Sequence, residues 1–426
     1  MSTSHGGGAS MAMTSPNAAP GHITTRPEVT VARRMRDMLA LEDFERAAKR
    51  HLPKSIFGYV AGAAEKRAAF FDASDAFDEL ALVPRVLRDM SARSQQATLF
   101  GKTYAHPFGI APMGSSALAA YDGDVVLARA AQAAGIPSIV SAASLTKLER
   151  VVEQAPGRWF QAYLPGEADR IEPLVDRVAR AGFEVLVLTV DVAAPGNREH
   201  YIRVGFDVPL RPSLDLAWQG LTHPSWLLGT ALRTIVKRGM PHFENMDAVQ
   251  GPPVLSRNLI RAMGKRDQFT WEHVALIRQR WKGKLVIKGL LAADDARIAR
   301  EHGVDGLIVS NHGGRQLDGA LAPLRALEPV LAQSGAMTVM LDGGIRRGTD
   351  VLKALALGAH FVFIGRPFLF AAAAFGAAGV NHGIRLLSDE IDRDMVMLGA
   401  RQLGDLGPHM LHDRLSAART RRRCQG

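Results

Sequence analysis

Cysteine is almost missing from this chain. The one residue, Cys424, sits in a basic C-terminal run, which excludes internal disulfides and cysteine-based metal sites and fits a reducing compartment. Aromatic residues make up only 6% and are not interleaved with basic ones, so no stacking surface for nucleic acid is expected. Acids fall short, 42 against 52 Lys and Arg, giving a formal charge of +10 that favours anionic small molecules or an anionic membrane surface. There is no H-E-x-x-H and no carboxylate spacing suited to a metal, and no G-x-G-x-x-G follows a strand. These absences remove a zinc-protease site and a Rossmann nucleotide site. His5 to Gly8 has no G-x-S-x-G elsewhere to serve, which argues against a lipase-type oxyanion hole. Residues 1–35 have neither a basic start nor an apolar segment and read as a disordered extension, not a signal peptide. The longest apolar run, Phe361 to Val380, is interrupted by Arg366-Pro367. It reads as a strand followed by an Ala-rich helix, not as a membrane span.

What is present repeats one rhythm. Leu41 to Leu52 has helical spacing and stops at Pro53, and the compact aromatic segment Leu52 to Ala63 is suited to lie on the mouth of a barrel. Thereafter apolar strands alternate with amphipathic helices. The strands read as Phe108 to Ala111, Ser138 to Ser141, Trp159 to Tyr163, Val185 to Asp191, Leu285 to Lys288, Gly306 to Ser310, Thr338 to Asp342 and Phe361 to Ile364. Helical patterns follow, among them Val125 to Ala134, Leu145 to Gln154 and Ala292 to His302. Eight such units predict an α/β fold, a (β/α)8 TIM barrel over residues 36–420, with a basic tail at 421–426. Six units in an open doubly wound sheet would share the rhythm, so the count decides.

One interval breaks it. About 80 residues separate the fourth strand from the helical pattern Trp271 to Trp281, far more than a βα loop needs. The insertion, 205–268, is read as a lid or a membrane-docking segment. Within it, Ser225 to Arg238 combines apolar residues with Arg233, Lys237 and Arg238, a basic amphipathic helix that either docks on a membrane or packs on the barrel mouth.

A barrel gathers its chemistry where strands end. The richest end is Ser310-Asn311-His312-Gly313-Gly314-Arg315-Gln316-Leu317-Asp318-Gly319. It offers an imidazole base, a guanidinium fork matched to a carboxylate, and glycines that admit a flat ligand. Asp342-Gly343-Gly344 with Arg346, and Gly365-Arg366, fall where this fold usually binds phosphate. A phosphate-bearing cofactor across the barrel mouth follows, with Lys288 and Gln161 directed at its ring.

Residues 38 to 410 resemble the FMN-dependent (S)-2-hydroxy acid oxidases and dehydrogenases. The resemblance is carried by Leu52-Pro53-Lys54, Trp159 to Tyr163, Leu188 to Asp191, Ile287-Lys288-Gly289, the His312 string, Asp342 to Gly348 and Ile364 to Pro367. It implies FMN as cofactor and oxidation of an (S)-2-hydroxy acid to the 2-oxo acid. His312 is then the base and Asp191 its orienting partner. Arg315 is a two-point clamp on the substrate carboxylate, helped by Tyr59 and Arg198, and Tyr163 contacts the substrate hydroxyl. Lys288 stands beside flavin N1 and O2, where negative charge collects on reduction. Gln161, Thr189 and Ser141 bond the ring edge, the first strand end Pro112, Met113 and Gly114 lies near the flavin, and Ser310 seats the cofactor. Asp342, Gly343, Gly344, Arg346, Gly365 and Arg366 take the ribityl chain and phosphate.

Two positions modulate that expectation. Met113 stands where many relatives have Thr, removing one hydroxyl near the flavin. Ala143 replaces a bulky Trp of glycolate oxidase and enlarges the pocket toward lactate and aryl-substituted acids. The insertion's Thr222 to Trp226 and Arg238 to Pro241 look most like the lactate and mandelate dehydrogenases, which are membrane-associated. The resemblance therefore implies a quinone as electron acceptor in preference to oxygen, a cytoplasmic protein peripheral to the inner face of the membrane, and a tetramer.

Overall fold

A computed structural model describes residues 35–155, 159–206, 213–256 and 265–414. The expected N-terminal extension (but for residue 35) and the basic tail lie outside the described residues, as do two short pieces of the insertion. Eight parallel strands form one sheet: β1 (Phe108–Ile110), β2 (Ile139–Ser141), β3 (Trp159–Ala162), β4 (Val185–Thr189), β5 (Lys284–Leu290), β6 (Gly306–Val309), β7 (Thr338–Asp342) and β8 (Phe361–Ile364). Their order is β1-β8-β7-β6-β5-β4-β3-β2. The ring closes through a parallel bridge between Ile110 and Ser138, where the Ile110 N–H donates to the Pro137 carbonyl at 2.9 Å. The TIM barrel expected from the count of βα units is the observed fold. Six of the strands are buried along their whole length, as parallel strands with both faces covered must be.

The barrel interior is packed with Trp159, Val187, Val286, Ile308, Met340, Phe361 and Phe363. A hairpin of Ala97–Leu99 and Lys102–Tyr104 plugs its N-terminal end. Phe100 lies 5.6 Å from the Trp159 ring and Tyr104 lies 5.9 Å from Phe361. Only the C-terminal end is left for ligands.

Several boundaries differ from those expected, and β5 runs on past Lys288 to Leu290. Strands β1, β3, β4 and β6 end one or two residues early, where the chain turns into the rim; Ala111 and Val190 still donate to the Ile364 and Lys288 carbonyls, both at 3.0 Å. The expected helix from Leu145 starts at Leu148 instead. Ser144 and Thr146 form a side-chain-stabilised turn (Thr146 N–H to Ser144 Oγ, 3.0 Å), and the Leu148 N–H is taken by Asn245 Oδ1 at 2.9 Å. The Leu52 to Ala63 segment is largely a helix, Lys54–Ala61, opened by Pro53.

The apolar run from Phe361 divides as expected into β8 and a helix, Arg366–Leu398, kinked at Gly376 with φ 59°. Among the described residues this helix is long and apolar enough to cross a membrane, but 67% of its apolar window is buried against the rest of the protein. In the insertion a helix Leu214–Thr222 is followed by helical chain from Pro224 to Arg238, wider than α over Leu227–Leu232. Small or polar residues face inward: Gln219, Thr230 and Thr234 are buried, with Trp226 as the one large anchor. The Trp226 indole N–H donates to the Leu118 carbonyl at 2.8 Å. Leu214, Trp218, Leu221, Leu228 and Val236 face outward, each more than 60% exposed.

Candidate active site

A cavity of about 910 Å³ opens at the C-terminal end of the barrel. His312, at the end of β6, adopts φ 56°, a left-handed conformation held by its own N–H bonding to Ser310 Oγ at 3.0 Å. Its Nδ1 lies 2.8 Å from Asp191 Oδ1 and its Nε2 lies 3.5 Å from the Tyr163 hydroxyl. A carboxylate at Nδ1 fixes the proton there and leaves Nε2 bare toward the cavity. Gly289 in β5 makes the pairing sterically feasible. At φ 96° a Cβ there would stand 2.5 Å from Asp191 Cγ.

Burial pushes the Asp191 carboxyl up, but the His312 and Lys288 charges pull it below the ordinary carboxylate range. It is therefore ionised and stabilises a protonated imidazole beside it. Burial and the Asp191 charge push the Tyr163 phenol far up, so it stays a neutral donor.

Facing this base are two guanidiniums. Arg315 donates to the carbonyls of Tyr59 (3.0 Å), Val60 (3.2 Å) and Gly62 (3.1 Å) and to the Tyr201 hydroxyl. One edge of the expected two-point clamp is thus engaged by the C-terminal carbonyls of helix Lys54–Ala61, a favourable place for a cation. Arg198 donates to the Arg315 carbonyl at 2.8 Å and to Gln316 Oε1. The Gln316 amide in turn donates to the Asp191 carbonyl at 2.9 Å. The Tyr59 hydroxyl donates to the Gly114 carbonyl at 3.0 Å. Burial and the neighbouring Arg315 lower the Arg198 guanidinium; an anion between the two would relieve both.

On the remaining wall, Lys288 Nζ donates to Ser310 Oγ at 2.8 Å and pairs with Asp342 at 2.5 Å. Arg346 and Arg366 are both lowered, by burial first, and Arg366 also by Arg346 and Arg315. Arg366 donates to the Gly313 carbonyl. Gly344, at φ 81°, leaves no room for a side chain, since a Cβ would lie 1.9 Å from the Ala73 carbonyl oxygen. Two desolvated guanidiniums beside glycine backbone suit a phosphate. Pro112, Met113, Gly114, Thr189, Gly343 and Gly365 line the same cavity. Ser141, Gln161 and Ser310 do not line it; they are buried with their side chains beneath it, Ser141 Oγ donating to Gln161 Oε1 at 2.9 Å.

The fit to FMN rests on polar atoms without partners. Gln161 Nε2, Thr189 Oγ1 and Arg366 Nη1 are buried and make no hydrogen bond, although such groups are normally satisfied. They come from the C-terminal ends of β3 and β4 and from the second residue after β8. A flavin ring edge and a phosphate would supply what they lack.

Sequence reasoning did not pick out Tyr201, Gln316 or Arg266. Tyr201 is three residues after Arg198, on the same helical turn, and Gln316 is next to Arg315, so both carried a positional signal. Arg266 carried none, because it closes an insertion without a regular pattern. Its guanidinium lies 4.7 Å over the Tyr163 ring and 3.9 Å from Met246 Sδ.

Comparison with known proteins follows the same lines. A family described as FMN-dependent dehydrogenase matches residues 48–413. An L-lactate dehydrogenase of Stenotrophomonas maltophilia is 39% identical over 374 residues, 86% of this chain and 97% of the relative. The (S)-mandelate dehydrogenase of Pseudomonas putida is 36% identical over 378 residues, 88% of this chain and 94% of the relative. A crystal structure of the monotopic membrane protein (S)-mandelate dehydrogenase superposes with a TM-score of 0.81 at 36% identity, covering 88% of this chain and 100% of that one.

Proposed function

Because this chain belongs to the FMN-dependent dehydrogenase family, as a 2-hydroxy acid dehydrogenase, we propose how its own residues carry out that oxidation. The carrying observation is one cavity that holds a bare His312 Nε2 opposite Arg315 and Arg198, with no carboxylate partner for either guanidinium among the described residues. The substrate carboxylate seats against that pair, with the free edge of Arg315 making the directed contact. This orients the hydroxyl-bearing carbon toward His312. Tyr163 donates to the substrate hydroxyl oxygen. His312 Nε2 takes the proton released in the oxidation, and Asp191 holds the imidazolium that results.

Gln161, Thr189, Ser141, Ser310 and Lys288, with Pro112, Met113 and Gly114, would hold the FMN ring. Asp342, Gly343, Gly344, Arg346, Gly365 and Arg366 would hold its ribityl phosphate. Bound there, FMN supplies the two-electron acceptor. The Lys288 cation would stabilise negative charge at the ring edge.

The pocket wall beyond His312 includes Ala143, Phe206, Phe243, Met246 and Val254, which favours acids larger than glycolate. Anaerobic addition of (S)-lactate or (S)-mandelate is expected to bleach the flavin absorbance of the purified holoprotein. The faster acid reports the pocket's size, and failure of both would sink the carboxylate-seat reading.

The outward apolar face of the insertion supports docking on the inner face of the cell membrane, and with it a quinone as acceptor. Side chains such as Trp218 and Leu228, more than 60% exposed in water, gain roughly 1.5–3 kcal/mol each when buried in an apolar phase. The double variant Trp218→Asp/Leu228→Asp is therefore expected to weaken flotation with anionic vesicles by ~10²-fold or more. A wild type that never floats would leave the insertion as a lid.

A further inference from the structure

Five of the seven cations on the cavity wall already have a part in that reaction. Arg346 and Arg366 serve a phosphate, Lys288 a ring edge, and Arg315 and Arg198 a carboxylate. Lys265 is paired with Glu167, which leaves Arg266. Burial, and then the Arg170 charge, lower its guanidinium, while Tyr163 partly supports it. The acids around it are engaged by other cations. Glu167 pairs with Lys265 and with Arg170 (the latter at 3.1 Å), and Asp247 pairs with Arg170 at 2.9 Å. Asp267 follows Arg266 in the chain and faces the same cavity, yet it is not among the charges acting on Arg266. Among the described residues Arg266 has no carboxylate partner, only the Tyr163 ring at 4.7 Å and the Met246 sulfur at 3.9 Å. A half-buried cation in that state is costly unless an anion joins it.

Its position says which anion. Tyr163, over whose face Arg266 lies, is the residue whose hydroxyl stands 3.5 Å from His312 Nε2. Arg266 is therefore one aromatic ring away from the reacting centre, with Met246 beside it on the side-chain wall of the pocket. We propose that Arg266 is a specificity residue that binds a second carboxylate, making the preferred substrate an (S)-2-hydroxydicarboxylic acid of four or five carbons. The first carboxylate occupies Arg315 and Arg198, the C2 hydroxyl meets Tyr163 and His312, and the chain runs past Tyr163 to Arg266. The inference rests on the proposed reaction and leaves its balance unchanged: C2–H and O–H give up two electrons and two protons, and the flavin is the oxidant.

Holoprotein is mixed anaerobically with (S)-malate, (S)-2-hydroxyglutarate, (S)-2-hydroxybutyrate and (S)-mandelate, and half-saturation for flavin bleaching is read for each. Dissociation constants for 2-oxoglutarate and 2-oxobutyrate are read from perturbation of the oxidised flavin spectrum. A dicarboxylate is expected to be favoured over 2-hydroxybutyrate by at least ~10-fold, in the range of one charge-assisted hydrogen-bond pair. Arg266→Met is expected to erase that ratio for the hydroxy acids and the oxo acids alike, and Arg266→Lys to keep part of it. Flavin content of each variant shows that the barrel is intact. Bleaching by the monocarboxylates with no dicarboxylate preference, or a ratio unmoved by Arg266→Met, would overturn this inference alone. No bleaching by any of the four acids would overturn the reaction as well.

Discussion

His312→Gln is expected to keep the protein yellow while slowing flavin reduction by ~10²-fold or more, the lower range for loss of a positioned base. Glutamine approximates the imidazole's reach and still offers an amide N–H to Asp191, so the 2.8 Å contact between these positions has a neutral counterpart. What it lacks is a lone pair of suitable basicity at the position of Nε2. The proton released at the substrate then loses the base that stands 3.5 Å from the Tyr163 hydroxyl. Cofactor retention separates this outcome from misfolding, since the flavin contacts assigned to Lys288, Gln161 and Arg366 do not pass through the imidazole. Rapid-mixing absorbance at saturating hydroxy acid makes the measurement. Near-normal reduction by the variant would remove His312 from the chemistry.

The second large effect belongs to Arg315→Lys. Here the charge survives and the geometry does not. The native guanidinium touches three backbone carbonyls and the Tyr201 hydroxyl with one edge, leaving the rest of the fork for a carboxylate. An ammonium is a compact point charge and cannot satisfy both sets at once. Losing charge-assisted hydrogen bonds of roughly 1.5–3 kcal/mol is expected to raise the half-saturation concentration by ~10-fold to ~10²-fold. The loss of the tie to helix Lys54–Ala61 should also lower the unfolding temperature. An unchanged half-saturation concentration, in a variant that retains FMN, would show that the substrate carboxylate is seated elsewhere.

Much of this site is legible in the sequence. The His312 string stands out because its residue types serve one chemistry and follow directly after an apolar strand. The eightfold rhythm places every such string on the same rim, so the residues named from strand ends, from Met113 to Arg366, converge in space although they span most of the chain. The insertion was legible as an interruption, and its Ser225 to Arg238 segment as a helix, but its facing was not. Periodicity shows that one face is apolar; it does not say whether that face meets the barrel or the solvent. Here buried Thr230 and Thr234 turn inward while Leu228 and Val236 turn out.

The sequence by itself determined the barrel and pointed to His312, Arg315 and the glycine-arginine corner as the proposed base, carboxylate seat and phosphate site, because each is encoded locally by a run of strand followed by a few reactive residues. Only the tertiary structure decided how these groups restrain one another. Asp191 reaches His312 from two strands away, past the space Gly289 leaves in the intervening β5. Arg315 is held by carbonyls more than 250 positions away in sequence. Arg266 lies over Tyr163 from the end of an insertion. Such contacts join segments with no fixed spacing between them, and the forces that make them, charge against charge and ring against cation, act across space rather than along the chain.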